Sequence, residues 1–218
     1  MQKQPLITLH IYSLAQLLTQ LKADFSNLRR FNDYKKDRIY QCRDQHLTEQ
    51  LDVKISSQDI AYTAYGKPYL AQYPDLAFNH SHSQQHYALA ISETLQDIGV
   101  DIEDLSRQVR FDALAKHAFH PNELAHWYDR DQDKNYWFKV WTTKEAVLKA
   151  SGLGIRINLN GLDTQCFAFT DQGQCYHPQI GYFAFQHVYL AHALLTLAWR
   201  ITTFDPMLQY PDIAVIQH

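Results

Sequence analysis

The chain has 218 residues, of which 46% are hydrophobic and 20% charged, so it can form one large domain or two small ones with a sizeable core. The net charge of −3 argues against a protein that coats nucleic acid, and no apolar run approaches the roughly 18 residues of a membrane span. Three widely spaced cysteines, and an N-terminus without the apolar core of a secretory signal, predict a cytoplasmic protein.

In chain order, the periodicity of apolar residues predicts an α+β chain. Residues 6–12 are expected to form a strand, residues 14–50 a helical region, and Gly66-Lys67-Pro68 a turn. The later expected elements are strands over 75–79, 87–92 and 98–103, helices over 111–130 and 134–151, strands over 164–170, 180–188 and 193–201, and an irregular tail after Asp205.

Charge is unevenly distributed along the chain. Residues 22–43 carry seven basic and three acidic side chains, whereas residues 101–133 carry eight acidic and four basic ones. The ordinary interpretation is a set of solvated helix faces. The alternative is a basic patch for an anionic ligand beside an acidic patch for a metal ion.

The segment Gly99-Val100-Asp101-Ile102-Glu103 alternates apolar and polar side chains, as a strand does. Its apolar residues would face the core, and Asp101 and Glu103 would share the other face, with Gly99 leaving space beside them. Two such carboxylates lie about 6–7 Å apart and can bind one cation. Oxygen ligands suit Mg²⁺, with Mn²⁺ as the alternative ion. A half-exposed strand with ordinary surface acids is the competing interpretation.

The helix predicted over residues 134–151 contains Glu145 and Lys149 at i and i+4. A surface salt bridge at this spacing is worth only about 0.2–0.5 kcal/mol. Glu145 also shares its face with Trp141, and a carboxylate beside an apolar stripe needs a partner because its unpaired burial is costly. A metal ion or a lysine would supply one. Lys144 and Lys149 flank Glu145, as expected where phosphate must be neutralised.

A polar loop follows Phe78 with the sequence Asn79-His80-Ser81-His82-Ser83. Hydroxyls and imidazoles in a loop between strands can donate hydrogen bonds to phosphate oxygens. The alternative is a transition-metal site formed by His80, His82 and His86, although neither a cysteine nor a carboxylate completes that set.

Together these segments resemble the 4′-phosphopantetheinyl transferases of the surfactin-synthetase-activating type. The family pattern is a GKP turn, an FNxSHS loop, a G-[VI]-D-x-E strand and a W-[ST]-x-K-E-[AS]-x-x-K helix. The matching segments, in the same order, are Gly66–Pro68, Phe78–Ser83, Gly99–Glu103 and Trp141–Lys149. The resemblance extends over about residues 28–155.

The resemblance implies catalytic and metal-binding roles. Asp101, Glu103 and Glu145 would bind magnesium. Lys149 would contact the pyrophosphate of coenzyme A, and Lys144 would add to the stabilisation of the transition state. Glu145 would also act as the general base, directly or through a water molecule.

The resemblance also implies a binding site for coenzyme A, the co-substrate. Ser81 and His82 would hold its 3′-phosphate side, and Lys67 and Pro68 would line the nucleotide pocket. The full set of expected coenzyme A-binding residues is Arg38, Arg43, Lys67, Pro68, Ser81, His82, Asp101 and Lys149.

The implied fold is α+β, with two similar, intimately packed α/β halves related by a pseudo-twofold axis. Residues 1–98 would form the nucleotide side and residues 99–218 the magnesium and pyrophosphate side. The implied reaction transfers the phosphopantetheine arm to a serine of an apo acyl or peptidyl carrier protein, and a monomer is expected. The rival function is a non-catalytic module that binds nucleotides or acidic proteins.

Overall fold

The computed structural model describes residues 6–154 and 156–218, within which the chain forms five α-helices and ten strands. The helices are α1 (Leu14–Leu17), α2 (Leu28–Leu51), α3 (Phe111–Ala118), α4 (Pro121–Tyr128) and α5 (Lys134–Ser151). The strands are β1 (Leu6–Ser13), β2 (Ile60–Tyr62), β3 (Pro68–Leu70), β4 (Ala77–His82), β5 (His86–Ser92), β6 (Gly99–Asp104), β7 (Gln172–His177), β8 (Gly181–Tyr189), β9 (Ala193–Ile201) and β10 (Asp212–Gln217).

Eight of these strands form two four-stranded sheets, and β2 and β3 form a separate hairpin. The strand orders are β10-β1-β5-β4 and β6-β9-β8-β7. All pairs are antiparallel except β1 with β10. The α+β class is confirmed. The orders β1-β5-β4 and β6-β9-β8 correspond to one another, but the pseudo-twofold relation of the halves stays a prediction.

A shared hydrophobic core joins the two sheets. It contains Ile7 and Leu9 of β1, Val100 and Ile102 of β6, and Leu195 of β9. Helices α1 and α2 pack on the outer face of the first sheet, and α3–α5 pack on the outer face of the second. Strand β6 is therefore covered on both faces, and every one of its residues is buried.

This layering revises the interpretation of β6. The apolar residues Ile98, Val100 and Ile102 lie in the core as predicted. Asp101 and Glu103 face the helical layer and are also buried, with 6% and 8% exposure. The alternative of ordinary surface acids is therefore wrong. No helix in the part of the chain that the structure describes is long and apolar enough to cross a bilayer.

Helix α5 occupies the predicted residues 134–151 because both ends carry strong capping residues. The Asp133 side chain accepts hydrogen bonds from the backbone N–H groups of Asn135 and Tyr136. Gly152 ends the helix with φ = 75°, a left-handed conformation that costs glycine little. Residues 111–130, by contrast, form two helices, because Pro121 begins α4 at a position where proline is favoured.

Three other predictions from the pattern of residues are wrong. Residues 14–50 are not one helical region, because extended residues around a short 3₁₀ turn at Lys22–Asp24 separate α1 from α2. Residues 164–170 are a loop, since the buried Lys139 ammonium uses the carbonyls of Phe167, Ala168 and Thr170 as hydrogen-bond acceptors. The tail is not wholly irregular, because β10 pairs with β1 and so places part of the expected second half in the first sheet.

Strand β6 and helix α5 approach each other closely at Gly99. A Cβ added there would lie 2.2 Å from the Ala146 carbonyl oxygen and 2.4 Å from the Ala150 nitrogen. The space beside Gly99 is therefore filled by the helix backbone and is not left for a ligand, contrary to the expectation from the sequence.

We expect Gly99→Ala to lower the free energy of unfolding by about 1–3 kcal/mol, because two backbone segments must separate to admit the methyl group. Urea denaturation of the full chain measures this change. Gly161→Ala is the matched control, since its added Cβ would be 3.3 Å from one flexible histidine side chain. Equal stability of Gly99→Ala and the original chain would contradict the packing argument.

Candidate active site between strand β6 and helix α5

Helix α5 presents one row of side chains to β6. Trp141, Glu145 and Lys149 follow at four-residue intervals and extend over about 12 Å, a length similar to that of the five residues 99–103 in a strand. The Trp141 Nε1–H donates to Glu103 Oε1 at 3.2 Å. Lys149 Nζ lies 2.7 Å from Asp101 Oδ1. The motif of β6 and the motif of α5 are therefore in contact at both Asp101 and Glu103.

Lys149 is the centre of a hydrogen-bond network between the two sheets. Its ammonium donates to Ser81 Oγ at 2.7 Å, to Val100 O at 3.1 Å and to Asp101 Oδ1 at 2.7 Å. The Ser81 hydroxyl in turn donates to Asp101 Oδ1 at 3.0 Å. Lys149 thus pairs with Asp101, and a simple surface salt bridge with Glu145 does not describe its environment.

The acidic residues of the site are electrostatically crowded. Burial, followed by the charge of Asp101, raises the pKa of Glu103 to about 7, although Arg107 opposes the shift. Burial and the same Asp101 charge also raise the pKa of Glu145. Glu103 is held by an ion pair with Arg107, and among the described residues the three carboxylates do not all come within 4.8 Å of one another.

One carboxylate oxygen of the site favours a nearby cation. Asp101 Oδ2 is buried and has no hydrogen-bond partner among the described residues. A buried acceptor without a partner carries a desolvation cost that a cation would offset. An all-oxygen set from Asp101, Glu103 and Glu145 suits Mg²⁺ or Mn²⁺ rather than a softer metal.

A cavity of about 210 Å³ opens beside Lys149. Its wall includes the Gly66-Lys67-Pro68 turn, Asn79 and His80 of β4, and the end of α5. Lys67 fixes the turn in place, because its ammonium donates to the Ala150 carbonyl at 2.6 Å and contacts Asp97 Oδ1 at 3.3 Å. Lys67 and Pro68 line this cavity, and Lys67 already holds two protein partners. Their role in binding the nucleotide stays a prediction.

His80 lines this cavity, and Arg43 lies close enough for its charge to act on the His80 imidazole. Burial, together with the charges of Arg43 and Lys149, lowers the pKa of His80 to about 3, so the imidazole is neutral at pH 7. Arg43 is fully buried; it pairs with Asp44 and donates to Ser57 Oγ at 3.2 Å. Arg43 Nη1 and His80 Nδ1 have no partner within the described residues.

The other predicted ligands of the phosphate side have different environments. Arg38 Nε donates to the Leu17 carbonyl at 3.0 Å and its Nη1 to Gln41 at 2.8 Å, so Arg38 holds the end of α1. His82 lies at the exposed end of β4, within range of the charges of Lys35 and Lys149. The basic segment of residues 22–43 is therefore not one uniform patch.

The structure separates Lys144 from this site. Its ammonium is buried and lies 2.8 Å from Glu123 Oε2, and it donates to the carbonyls of Leu159 and Leu162. Consecutive residues on a helix point about 100° apart, so Lys144 and Glu145 cannot face the same surface. The expectation that both Lys144 and Lys149 neutralise phosphate is not supported by this geometry.

The predicted alternative of a metal site at His80, His82 and His86 is also not formed among the described residues. His86 Nδ1 instead lies 2.6 Å from Asp104 Oδ1.

Two contributors to the site were missed in the sequence. Asn79 Oδ1 accepts a hydrogen bond from the Val100 N–H at 2.9 Å and so joins β4 to β6. Its presence beside Ser81 in the polar motif was the available signal. Arg107 reaches Glu103 because a turn follows β6, in which the Arg107 N–H donates to the Asp104 carbonyl. The four-residue spacing of Glu103 and Arg107 does not predict an ion pair, because these residues do not lie on a helix.

Comparison with known proteins finds 4′-phosphopantetheinyl transferases, the family that the sequence motifs resemble. The model of the 4′-phosphopantetheinyl transferase superfamily matches residues 97–202, which contain β6, α5 and Lys149. The chain is 40% identical over 110 residues to the 4′-phosphopantetheinyl transferase HetI of Nostoc, covering 48% of this chain and 46% of that protein. It is 29% identical over 123 residues to the 4′-phosphopantetheinyl transferase Sfp of Bacillus subtilis, covering 56% of this chain and 51% of that protein.

A further 4′-phosphopantetheinyl transferase of Bacillus subtilis is 33% identical over 103 residues, covering 46% of this chain and 44% of that protein. The chain thus spans about half the length of the curated relatives it matches. The matched segment includes Asp101, Glu103, Glu145 and Lys149, the residues that the structure assembles between β6 and α5. Residues 97–202 of this chain are similar to the 4′-phosphopantetheinyl transferase superfamily, whose model they match.

Proposed function

We propose that the chain transfers the 4′-phosphopantetheine arm of coenzyme A to a serine of an apo acyl or peptidyl carrier protein, as a member of the surfactin-synthetase-activating type. The observation that carries this proposal is the position of Lys149. Its ammonium lies between Ser81 and the buried Asp101, at the wall of the cavity that the Gly66–Pro68 turn closes. A cation placed there suits an anionic ligand that enters from the cavity.

The proposed reaction joins the carrier serine to the β-phosphorus of coenzyme A. The serine oxygen forms a new O–P bond, and the bond from that phosphorus to the oxygen bridging the α-phosphate breaks. Adenosine 3′,5′-bisphosphate leaves with the bonding electrons. Glu145, directly or through a water molecule, takes the hydroxyl proton, a role that its raised pKa supports.

Asp101, Glu103 and Glu145 would hold Mg²⁺, or Mn²⁺ in its place. When bound, this ion would offset negative charge on the pyrophosphate. Lys149 supplies a fixed positive charge for the same oxygens without any rearrangement of the helix. Lys144 has a structural role in this proposal, since its charge is already matched by Glu123.

The nucleotide end of coenzyme A is proposed to lie against the first half of the chain. Lys67 and Pro68 line the pocket wall. Ser81, His82 and Arg43, which do not line that cavity, are the proposed residues of the 3′-phosphate side. Arg43 is fully buried and its Nη1 has no partner among the described residues, so it would donate to a phosphate oxygen only once ligand binding exposes it. Arg38 contributes only through the long-range field of its charge.

The proposed setting is a monomer in the cytoplasm, with coenzyme A and a carrier protein as its partners and with neither nucleic acid nor membrane involved. Cys42, Cys166 and Cys175 are free and buried within the described residues, as is usual in a reducing compartment.

Transfer is tested by incubating the full chain with coenzyme A, an apo carrier protein and Mg²⁺, and measuring the mass of the carrier. The carrier should gain the mass of the phosphopantetheine arm on its serine. A nucleotide- or protein-binding module would leave that mass unchanged, which would contradict the proposed function.

Asp101→Asn should abolish detectable transfer, because it removes both the negative charge that pairs with Lys149 and a proposed metal ligand. Carrier mass measures transfer, and circular dichroism checks that the variant is folded. Asp112→Asn is the matched control, since Asp112 forms an exposed pair with Lys116 far from the predicted motifs. Normal turnover by folded Asp101→Asn would contradict the metal assignment.

Lys149→Ala should lower turnover by one to three powers of ten, or about 1.4–4 kcal/mol of transition-state stabilisation. Glu145→Gln should be at least as damaging, because it removes a metal-binding charge and the proposed base. Lys149→Arg should recover activity only in part, since a planar guanidinium does not reproduce a compact ammonium. Turnover and melting temperature are measured on the same samples.

The control for this series is Lys116→Ala, because Lys116 is an exposed helical lysine paired at i,i+4 with Asp112 at 2.7 Å. That variant should keep full turnover and nearly unchanged stability, because a fully exposed ion pair contributes little. Full turnover in both Lys149→Ala and Glu145→Gln would leave this helix without a catalytic role.

Arg43→Gln should raise the Michaelis constant for coenzyme A about 10–100-fold, the effect of losing one hydrogen bond to a charged group. The constant for 3′-dephospho-coenzyme A should change much less. Arg38→Gln should have a small effect, because its guanidinium is bonded to Leu17 and Gln41. Lys54→Gln, at an exposed position after α2, is the control. Equal effects of Arg43→Gln on both substrates would exclude a contact with the 3′-phosphate.

A further inference from the structure

Three histidines that are far apart in the sequence meet at one edge of the first sheet. His10 lies on β1, His46 on α2, and His218 directly follows β10. One ligating atom of each lies within 4.8 Å of the other two. The parallel pairing of β10 with β1 brings His218 to this place, and the His218 N–H extends the pairing by donating to the Ile11 carbonyl at 3.0 Å.

We propose that His10, His46 and His218 form a binding site for a divalent transition metal ion, represented by Zn²⁺, that is separate from the carboxylate site on β6 and α5. The site would join β1, α2 and the end of β10. Neither the superfamily match at residues 97–202 nor the motifs of the sequence include any of these three residues.

The spacing of two ring nitrogens fits tetrahedral coordination. His10 Nδ1 and His218 Nε2 are 3.2 Å apart. Zinc–nitrogen bonds of 2.0–2.1 Å at tetrahedral angles place ligand nitrogens about 3.3–3.4 Å apart. This pair therefore already has the separation of one edge of a zinc tetrahedron, and an ion would take the place of the proton that the two rings share.

His46 is oriented by an acidic neighbour. Its Nδ1 lies 3.1 Å from Glu49 Oε2, and its Nε2 lies 2.8 Å from the Tyr12 hydroxyl. A carboxylate that accepts the Nδ1–H fixes the tautomer with a lone pair on Nε2, which is the arrangement found behind many metal-binding histidines. Nε2 is therefore the proposed ligand atom. On metal binding, the hydrogen bond between the Tyr12 hydroxyl and His46 Nε2 would be replaced by a bond from Nε2 to the metal.

Ring stacking preorganises the group and defines the movement that coordination requires. The His10 and His46 rings stack at 3.8 Å with an interplanar angle of 22°, and Tyr12 stacks on His218 at 4.1 Å. Nearly parallel rings cannot both direct a lone pair at one ion. One of the two must turn about χ2, which is a soft torsion for histidine.

The chemistry of the donors selects the type of ion. Imidazole nitrogens favour zinc, copper and nickel, whereas Mg²⁺ prefers oxygen. The two sites are thus expected to bind different classes of metal. An ion at the histidine site would anchor β10, which is largely exposed and, within residues 6–154 and 156–218, pairs with β1 alone.

The test is a titration of the untagged full chain with Zn²⁺ in competition with a colorimetric chelator, in an excess of Mg²⁺ that saturates the carboxylate site. We expect one Zn²⁺ per chain. His10→Gln, His46→Gln and His218→Gln should each weaken binding by ~100-fold or more, and Glu49→Gln by about 10–100-fold through the orientation of His46. His117→Gln, at an exposed histidine on α3, is the matched control and should bind normally.

His218→Gln keeps the proposal falsifiable, because His218 is exposed and its replacement leaves the core unchanged. Zn²⁺ should raise the melting temperature of the original chain but not that of His218→Gln. Unchanged Zn²⁺ affinity in folded His218→Gln would overturn the proposal. Displacement of Zn²⁺ by Mg²⁺ would also overturn it, because the ion would then belong to the carboxylates.

Discussion

The close packing of α5 against β6 is the constraint on which the candidate site depends. Gly99 lets the helix backbone approach the strand so closely that no side chain fits between them. At this separation Trp141 reaches Glu103 and Lys149 reaches Asp101. A helix set about one methyl group farther away would leave Asp101 buried without its ammonium partner, which is a costly arrangement.

Two adjacent parts of α5 use lysine in opposite ways. Lys144 is matched by Glu123 and by carbonyl acceptors inside the second half, so its charge is fully used by the fold. Lys149 pairs with Asp101 yet keeps 28% of its side chain exposed at the wall of a cavity. The same residue type therefore serves as a core element at one position and as an accessible cation five residues later, because the helix turns these positions toward different layers.

The two halves of the chain contact each other in two places. Asn79 of β4 accepts from the Val100 backbone, and Lys149 donates to Ser81, so the cavity has walls from both halves. Strand β10 returns to the first sheet and places His218 beside His10. A candidate site for oxygen-bound metals lies between β6 and α5, and a candidate histidine site lies at one edge of the first sheet.

The local sequence determined the elements whose signals are local. The alternation in residues 98–103 and the helix stop at Gly152 were enough to predict β6 and α5. A common site for Asp101, Glu145 and Lys149 was implied by the family resemblance and not by these local signals. Only the tertiary structure decided which charged and metal-binding side chains can reach a ligand. It buried Lys144 against Glu123, held Arg38 at the end of α1, and brought together His10, His46 and His218. These outcomes depend on contacts between residues from 21 to 208 positions apart, and the periodicity of a single segment carries no information about such contacts.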